Sequence, residues 1–164
     1  MQTLIRRADT WLMANRRDYY CILQPGVDDA ALDAYEARFG LMLPTEFRQL
    51  YRWRNGQDLG VSLALVHNHM FMPLFASAAA KDLLDGMIGF DFDDPAWWRR
   101  TWVPFTQSFG GDHYCLDLEA KGSATGQVID FWHDDATRNV RARSLSSWFG
   151  ELVAAMEEGR LELA

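Results

Sequence analysis

The sequence predicts a single α+β domain, with N-terminal helices packed on a mostly antiparallel sheet and a closing C-terminal helix. Three observations carry this. Apolar residues near the start recur with helical spacing. Two central stretches, 113–118 and 127–132, are rich in strand-forming residues and are separated by a glycine-bearing loop. From Ser144 onward the helical spacing returns. The 164 residues suit one domain spanning 1–164, and no internal repeat, low-complexity tract or linker interrupts them.

Leu4, Ile5, Ala8, Trp11 and Leu12 share one helical face while Arg6, Arg7 and Asp9 fall off it, which marks an amphipathic opening helix. Gln24-Pro25-Gly26 breaks the chain. Asp28 or Asp29 then caps a second helix with Leu32, Tyr35 and Phe39 inside and Gly40 at its end. A third helix follows after a very short link. Pro44 suits its first turn, where a missing N–H has no intrahelical bond to lose. Phe47, Leu50, Tyr51 and Trp53 form its stripe, and Asn55-Gly56 reads as its stop because both residues tolerate the left-handed conformation. Short connections make these helices packing neighbours.

After a polar turn at 57–60, β-compatible stretches lie around 61–65 and 70–74, and 76–84 reads as a helix ending near Gly86. Residues 91–100 read as a turn or a short helix starting at Pro95, and 102–105 as a strand. Residues 113–118 read as a half-buried strand and 127–132 as the clearest strand, with the 121–126 loop making them a hairpin. Residues 139–142 add a short strand. Ser144 caps the last helix, whose apolar face is Leu145, Trp148, Phe149, Leu152, Val153 and Met156.

Charge narrows the function classes. The net charge is −7, which argues against direct nucleic-acid binding, since that shows a basic footprint. The acidity is uneven: 82–135 holds 11 acidic and 3 basic residues. A field of one sign speeds encounter with a partner of the other. Seven Trp and ten Phe exceed ordinary core needs, and aromatics are favoured at interfaces. Cys21 and Cys115 are far apart and show no metal or redox spacing, so both are read as reduced thiols. The opening Met-Gln-Thr-Leu-Ile-Arg-Arg lacks a signal-type apolar region, and no run nears the roughly 20 apolar residues of a membrane span. The expectation is a cytoplasmic protein that does not engage membranes.

The sharpest interaction candidate is the run Asp91, Asp93, Asp94, Trp97 and Trp98, extended by Asp134 and Asp135. Carboxylates beside exposed aromatics meet a basic surface and supply a packed anchor. The competing reading is a solvated acidic turn followed by core tryptophans. Asp112, His113, Asp117, Asp130, His133, Asp134 and Asp135 raise the question of metal or acid–base chemistry. Yet there is no paired-His helix motif, no Cys-x-x-Cys and no calcium-loop spacing. Asp112, after Gly110-Gly111, suits bonding of turn N–H groups, and Asp117 between two leucines suits a half-buried structural carboxylate. His67 and His69 have a strand metal-ligand spacing, weaker than a loop or edge reading because no third ligand is near in sequence. Arg52, Arg54, Arg99, Arg100, Arg138, Arg141 and Arg143 read first as partners of neighbouring acids or as edge protection, with Arg141 and Arg143 sharing an exposed face. No catalytic residue, cofactor or metal is assigned.

In order along the chain, Asp28 with Tyr35, Phe39 and Gly40, then Leu43-Pro44, Phe47, Leu50 and Asn55-Gly56, form the first half of a recognisable pattern. Trp102-Val103-Pro104-Phe105, the run Gly110-Gly111-Asp112-His113-Tyr114-Cys115-Leu116-Asp117, then Gly126-Gln127-Val128-Ile129, Trp132-His133-Asp134 and the helix from Ser144 to Leu152 form the second. Together these resemble the SUKH superfamily of bacterial toxin-immunity proteins and fungal cell-wall assembly regulators, over roughly 26–152. Met1 to Tyr20 and the 61–94 region carry no part of it. In that pattern Pro44, Asn55, Gly56, Gly111, Asp112 and Asp117 are structural residues. The resemblance implies a binder and not an enzyme: an immunity protein that neutralises a cognate protein toxin encoded nearby by stoichiometric contact, with a basic nuclease as the toxin class that the acidic segment suits. Two other readings stand beside it. One is a regulatory scaffold for a host protein, and the other a metal-dependent enzyme using His113, His133 and nearby aspartates.

Overall fold

A computed structural model describes residues 1–92, 94, 96–119 and 126–163. The elements run α1 (Gln2–Asn15), α2 (Arg17–Ile22), β1 (Leu23–Pro25), α3 (Asp29–Phe39), α4 (Thr45–Trp53), β2 (Arg54–Gln57), β3 (His69–Phe71), α5 (Leu74–Met87), β4 (Trp102–Pro104), β5 (Thr106–Ser108), β6 (His113–Asp117), β7 (Gln127–Phe131), β8 (Val140–Ala142) and α6 (Leu145–Glu157). The architecture is α+β with antiparallel sheets, as the segment order predicts.

The predicted helix signals act where they stand. The Asp28 carboxylate accepts from Ala31 N at 2.9 Å, and Gly40 ends α3 at φ 64°. Ser144 Oγ accepts from Ser147 N, and all six predicted apolar residues of α6 are buried. In α1 the buried pair is Ala8 and Leu12.

Around α4 the structure departs from the sequence reading. Pro44 stands one position before the helix, with its ψ still extended at 150°. The helix ends at Trp53, and Arg54 turns straight into β2, so Asn55-Gly56 lies in a strand and is no helix stop. Both residues serve α5 instead. Asn55 Oδ1 accepts from Leu74 N at 2.8 Å, satisfying a free N–H of its first turn. Gly56, at φ 68°, lets the backbone of Met72 and Pro73 pass so close that a Cβ would lie 2.2 Å from Pro73 N. Residues 61–65 form no strand, while α2, β1 and β5 are short elements without a sequence period of their own.

The main sheet has the order β4-β6-β7-β8. The register pairs Tyr114 with Asp130, Cys115 with Ile129 and Leu116 with Val128. Because side chains alternate, Tyr114, Leu116, Val128 and Val103 face the large core under the helices, with Leu12, Phe47, Tyr51 and Phe149. Cys115, Ile129, Phe131 and Trp102 face the other way, into a smaller cluster with Leu84, Phe92 and Trp98. The half-buried reading of 113–118 is therefore corrected: β6 is buried on both faces, since Leu84 of α5, Phe92 and Trp98 cover the side that an antiparallel sheet commonly leaves wet. The loop at 121–126 lies outside the described residues except for Gly126.

Candidate interaction surface

Two loops over the small core carry the predicted acidic residues. The first runs from Met87 to Arg100 at the end of α5. Its tight turns use Met87 O, which accepts from the N–H groups of Phe90, Asp91 and Phe92, while Asp94 Oδ1 accepts from Ala96 N at 2.8 Å. The second runs from Trp132 to Asn139 between β7 and β8, with Asp135 Oδ1 accepting from Thr137 N at 2.7 Å. That bond holds the Asp135 carboxyl below the usual range.

Arg138 ties the two loops. Its guanidinium donates to Trp97 O at 2.8 Å and to the backbone oxygens of Asp135 and Thr137, and its charge lies 4.6 Å from the Phe131 ring centre. Asp94, Trp97, Asp134 and Asp135 thus belong to one rim held by a single cation, which sequence spacing does not reveal. Asp91, Asp94, Asp134 and Asp135 are exposed, and Trp97 is half-buried. Asp93 lies outside the described residues.

Trp98 corrects the aromatic part of the expectation. It is 2% exposed and packs edge-on against Trp102 and Phe131, so it cannot anchor a partner. Its indole N–H donates to Asp85 at 2.7 Å, and Asp85 in turn faces the buried Lys81 ammonium at 3.1 Å. Lys81 also donates to Arg100 O, so this ion pair locks the acidic turn onto α5. Burial lowers the Lys81 pKa, opposed by Asp85.

Asp112 also acts differently from its predicted role. The turn N–H groups of Gly110 and Asp112 donate to Ser108 Oγ, and Gly111 takes the turn at φ 96°. The Asp112 carboxylate reaches across to the loop after β7, accepting from His133 N at 3.1 Å and meeting His133 Nδ1 at 2.8 Å. Burial opposes ionisation of Asp112, but these bonds with one from Ser108 keep its pKa low, and the same pairing raises that of His133. Asp117 is half-buried and accepts from Glu119 N at 2.9 Å.

The seven residues weighed for metal or acid–base chemistry do not form one site. Asp130 pairs with Arg141 at 2.7 Å, and His113 is buried with Nδ1 against Thr106 O. Asp112, His133 and Asp134 do converge, with one ligand atom of each within 4.8 Å of the others, at the protein surface. Such a trio, half-buried at Asp112 and exposed at His133 and Asp134, is able to hold a hard cation. His67 and His69 part company: His69 is buried against Thr106 Oγ1 at 2.9 Å, while His67 turns to Glu162 at φ 42°. Arg52, Arg54 and Arg99 pair with Asp29, Asp9 and Glu119 as anticipated. Arg141 and Arg143 are both exposed, with buried Ala142 between them, and the Arg141 guanidinium also lies over the Tyr114 ring, 4.5 Å from its centre. Cys21 is exposed and Cys115 buried, and both are free thiols. Among the described residues no helix is long and apolar enough to cross a membrane.

Sequence reasoning missed an apolar feature of the surface at α5. Phe75 and Leu83 of α5 are each 68% exposed, and Phe90 just beyond is 83% exposed. The signal was present, since 74–87 carries apolar residues on every side of a helical wheel, more than one core-facing stripe requires.

The sequence matches the model of the SMI1 / KNR4 family (SUKH-1) over residues 26–151. It is also 26% identical, over 94% of its length, to the cell wall biosynthesis/cell cycle regulator smi1 of Schizosaccharomyces pombe. The chain spans about a third, 36%, of that relative's length.

Proposed function

This chain belongs to the SMI1 / KNR4 family (SUKH-1), and on that premise we propose that it is an immunity protein, binding a cognate protein toxin one-to-one and blocking it without any chemical step. The observation that carries the reading is the acidic rim of Asp94, Asp134 and Asp135 beside Trp97, tied together by Arg138, with exposed Asp91 on the same loop as Asp94. Such a rim suits a basic toxin, with a nuclease as the preferred class: the carboxylates steer encounter and stand where nucleic-acid phosphates would. Asp93 belongs to the same proposal by its place in the sequence.

The test is co-expression with a toxin encoded beside this gene. Rescue of growth together with a stable one-to-one complex is the expected result. Reversing the charge of Asp91 and Asp94 should slow association, most at low salt. Association rates and salt dependence equal to the parent's would remove the steering role.

A second reading, a regulatory scaffold in the cytoplasm, is favoured by the similarity to smi1, a protein described as a regulator. A chromosomal neighbourhood without a toxin gene supports it. Metal-dependent catalysis at Asp112, His133 and Asp134 would be revealed by metal analysis of the purified protein and by a loss of stability with chelator.

A further inference from the structure

Helix α5 covers the small core with one side only. Lys81 and Leu84 point inward with Ser77 and Ala78. On the outward side Phe75, Ala79 and Leu83 follow each other at four-residue steps, so they stack along one face. Ala76, Ala80 and Met87 flank them, half-buried. Exposed Asp82, seven residues after Phe75, is the one polar side chain at the edge of this face, and Phe90 extends the face beyond the helix end. Among the described residues, three of the nine exposed large hydrophobics lie in these sixteen residues. Contiguous apolar surface of this kind marks an interaction site, whereas single exposed residues do not.

Charge indicates what covers it. The segment from Asp82 to Trp98 contains Asp82, Asp85, Asp91, Asp93 and Asp94 and no lysine or arginine. Asp82 is answered by Arg38, and Asp85 by buried Lys81. Exposed Asp91 and Asp94 enter no ion pair among the described residues, and they lie at the Phe90 end of the face. A second copy of this chain, itself at net −7, would bring these carboxylates against one another or against its own acidic surface.

We infer that the outward face of α5, continued by Phe90, is the packed centre of a docking surface, and that its occupant is a partner protein presenting an apolar segment flanked by lysine or arginine. Phe75, Leu83 and Phe90 take the anchoring role for which the tryptophans were considered, and Asp91 and Asp94 form the charged edge. This rests on the reading of the chain as a protein-binding domain but not on the identity of the toxin.

The probe is a synthetic amphipathic helical peptide of leucine and lysine, compared with a twin in which glutamate replaces every lysine, each titrated into the 15N-labelled protein. The expected result is amide shifts confined to α5 and 88–94 with the basic peptide alone, and affinity about tenfold weaker in Leu83→Asp and in Phe90→Ser, a loss of roughly 1.4 kcal/mol. Phe109→Ser, at an exposed residue elsewhere, should bind as the parent does. Leu83 and Phe90 are exposed, and circular dichroism establishes that both variants fold. The inference is overturned by no binding, by shifts on another face, by equal binding of the acidic twin, by unchanged affinity in both variants, or by a dimer in sedimentation that Leu83→Asp dissolves. Peptide binding at α5 alongside failure to neutralise any neighbouring toxin would sink the immunity reading and leave this surface standing.

Discussion

Acidification should destabilise this protein through His69. The imidazole is 6% exposed, stacks on Tyr114 with centres 3.8 Å apart, and bonds Thr106 Oγ1 through Nδ1. Burial, with Arg141 and His113 adding repulsion against the weaker pull of Asp112, lowers its pKa from 6.5 to about 3. In the unfolded chain the same group titrates near its ordinary value. As pH falls below about 6.5 the unfolded state gains a proton that the folded state refuses, so stability falls with pH until the folded pKa is reached. Each pH unit costs about 1.4 kcal/mol, so going to about pH 4.5 removes about 2–3 kcal/mol. That is a large share of a typical total of about 5–15 kcal/mol. Burial lowers the pKa of His113 as well and adds in the same direction, whereas the raised pKa of His133 stabilises the fold at low pH and is lost as pH rises through it. The assay is urea unfolding of the parent and of His69→Gln at about pH 7 and about pH 4.5, the windows that linkage distinguishes. Glutamine keeps a polar atom for Thr106 but cannot titrate, so the variant should lose about 2–3 kcal/mol less on acidification. Equal losses in the two proteins would refute the reasoning, as would an NMR titration placing His69 near 6.5.

Three further outcomes follow from named contacts. Gly56→Ala should cost about 3 kcal/mol or more, read as a drop in melting temperature, because its Cβ would meet the backbone of Pro73 at 2.2 Å and its φ is 68°. Asn55→Ala should cost about 1 kcal/mol, with faster amide exchange at Leu74, by freeing the first N–H of α5. Lys81→Met should destabilise by about 3–5 kcal/mol in chemical unfolding because it strands the Asp85 carboxylate, and the Lys81→Met, Asp85→Asn double variant should recover part of that.

The acidic site was only half legible in the sequence. Composition shows the acidic excess of 82–135, since charge needs no fold to be counted. What composition could not supply is which aromatic side chains stay outside. Trp97 and Trp98 are adjacent and chemically identical, yet one sits at the rim and the other is sealed under Phe131. That difference comes from the Asp85–Lys81 pair on a helix more than ten residues away. The pairing of the 91–98 and 132–138 loops through Arg138 was likewise invisible, because a guanidinium bonding to carbonyls leaves no complementary residue type to read.

By itself the sequence determined the run of helices, then strands, then a closing helix, the caps at Asp28, Gly40 and Ser144, the inner face of α6, the β6–β7 pairing and the family. Each of these depends on residues within a turn or two of one another, where periodicity and capping chemistry act locally. Tertiary structure alone decided that Asn55-Gly56 serves the start of α5 and not the end of α4, that β6 is buried on both faces, and that the uncovered apolar surface belongs to α5. Those outcomes depend on which segments, distant along the chain, come to lie within a few ångströms, and a backbone approach or a missing cover has no residue pattern of its own.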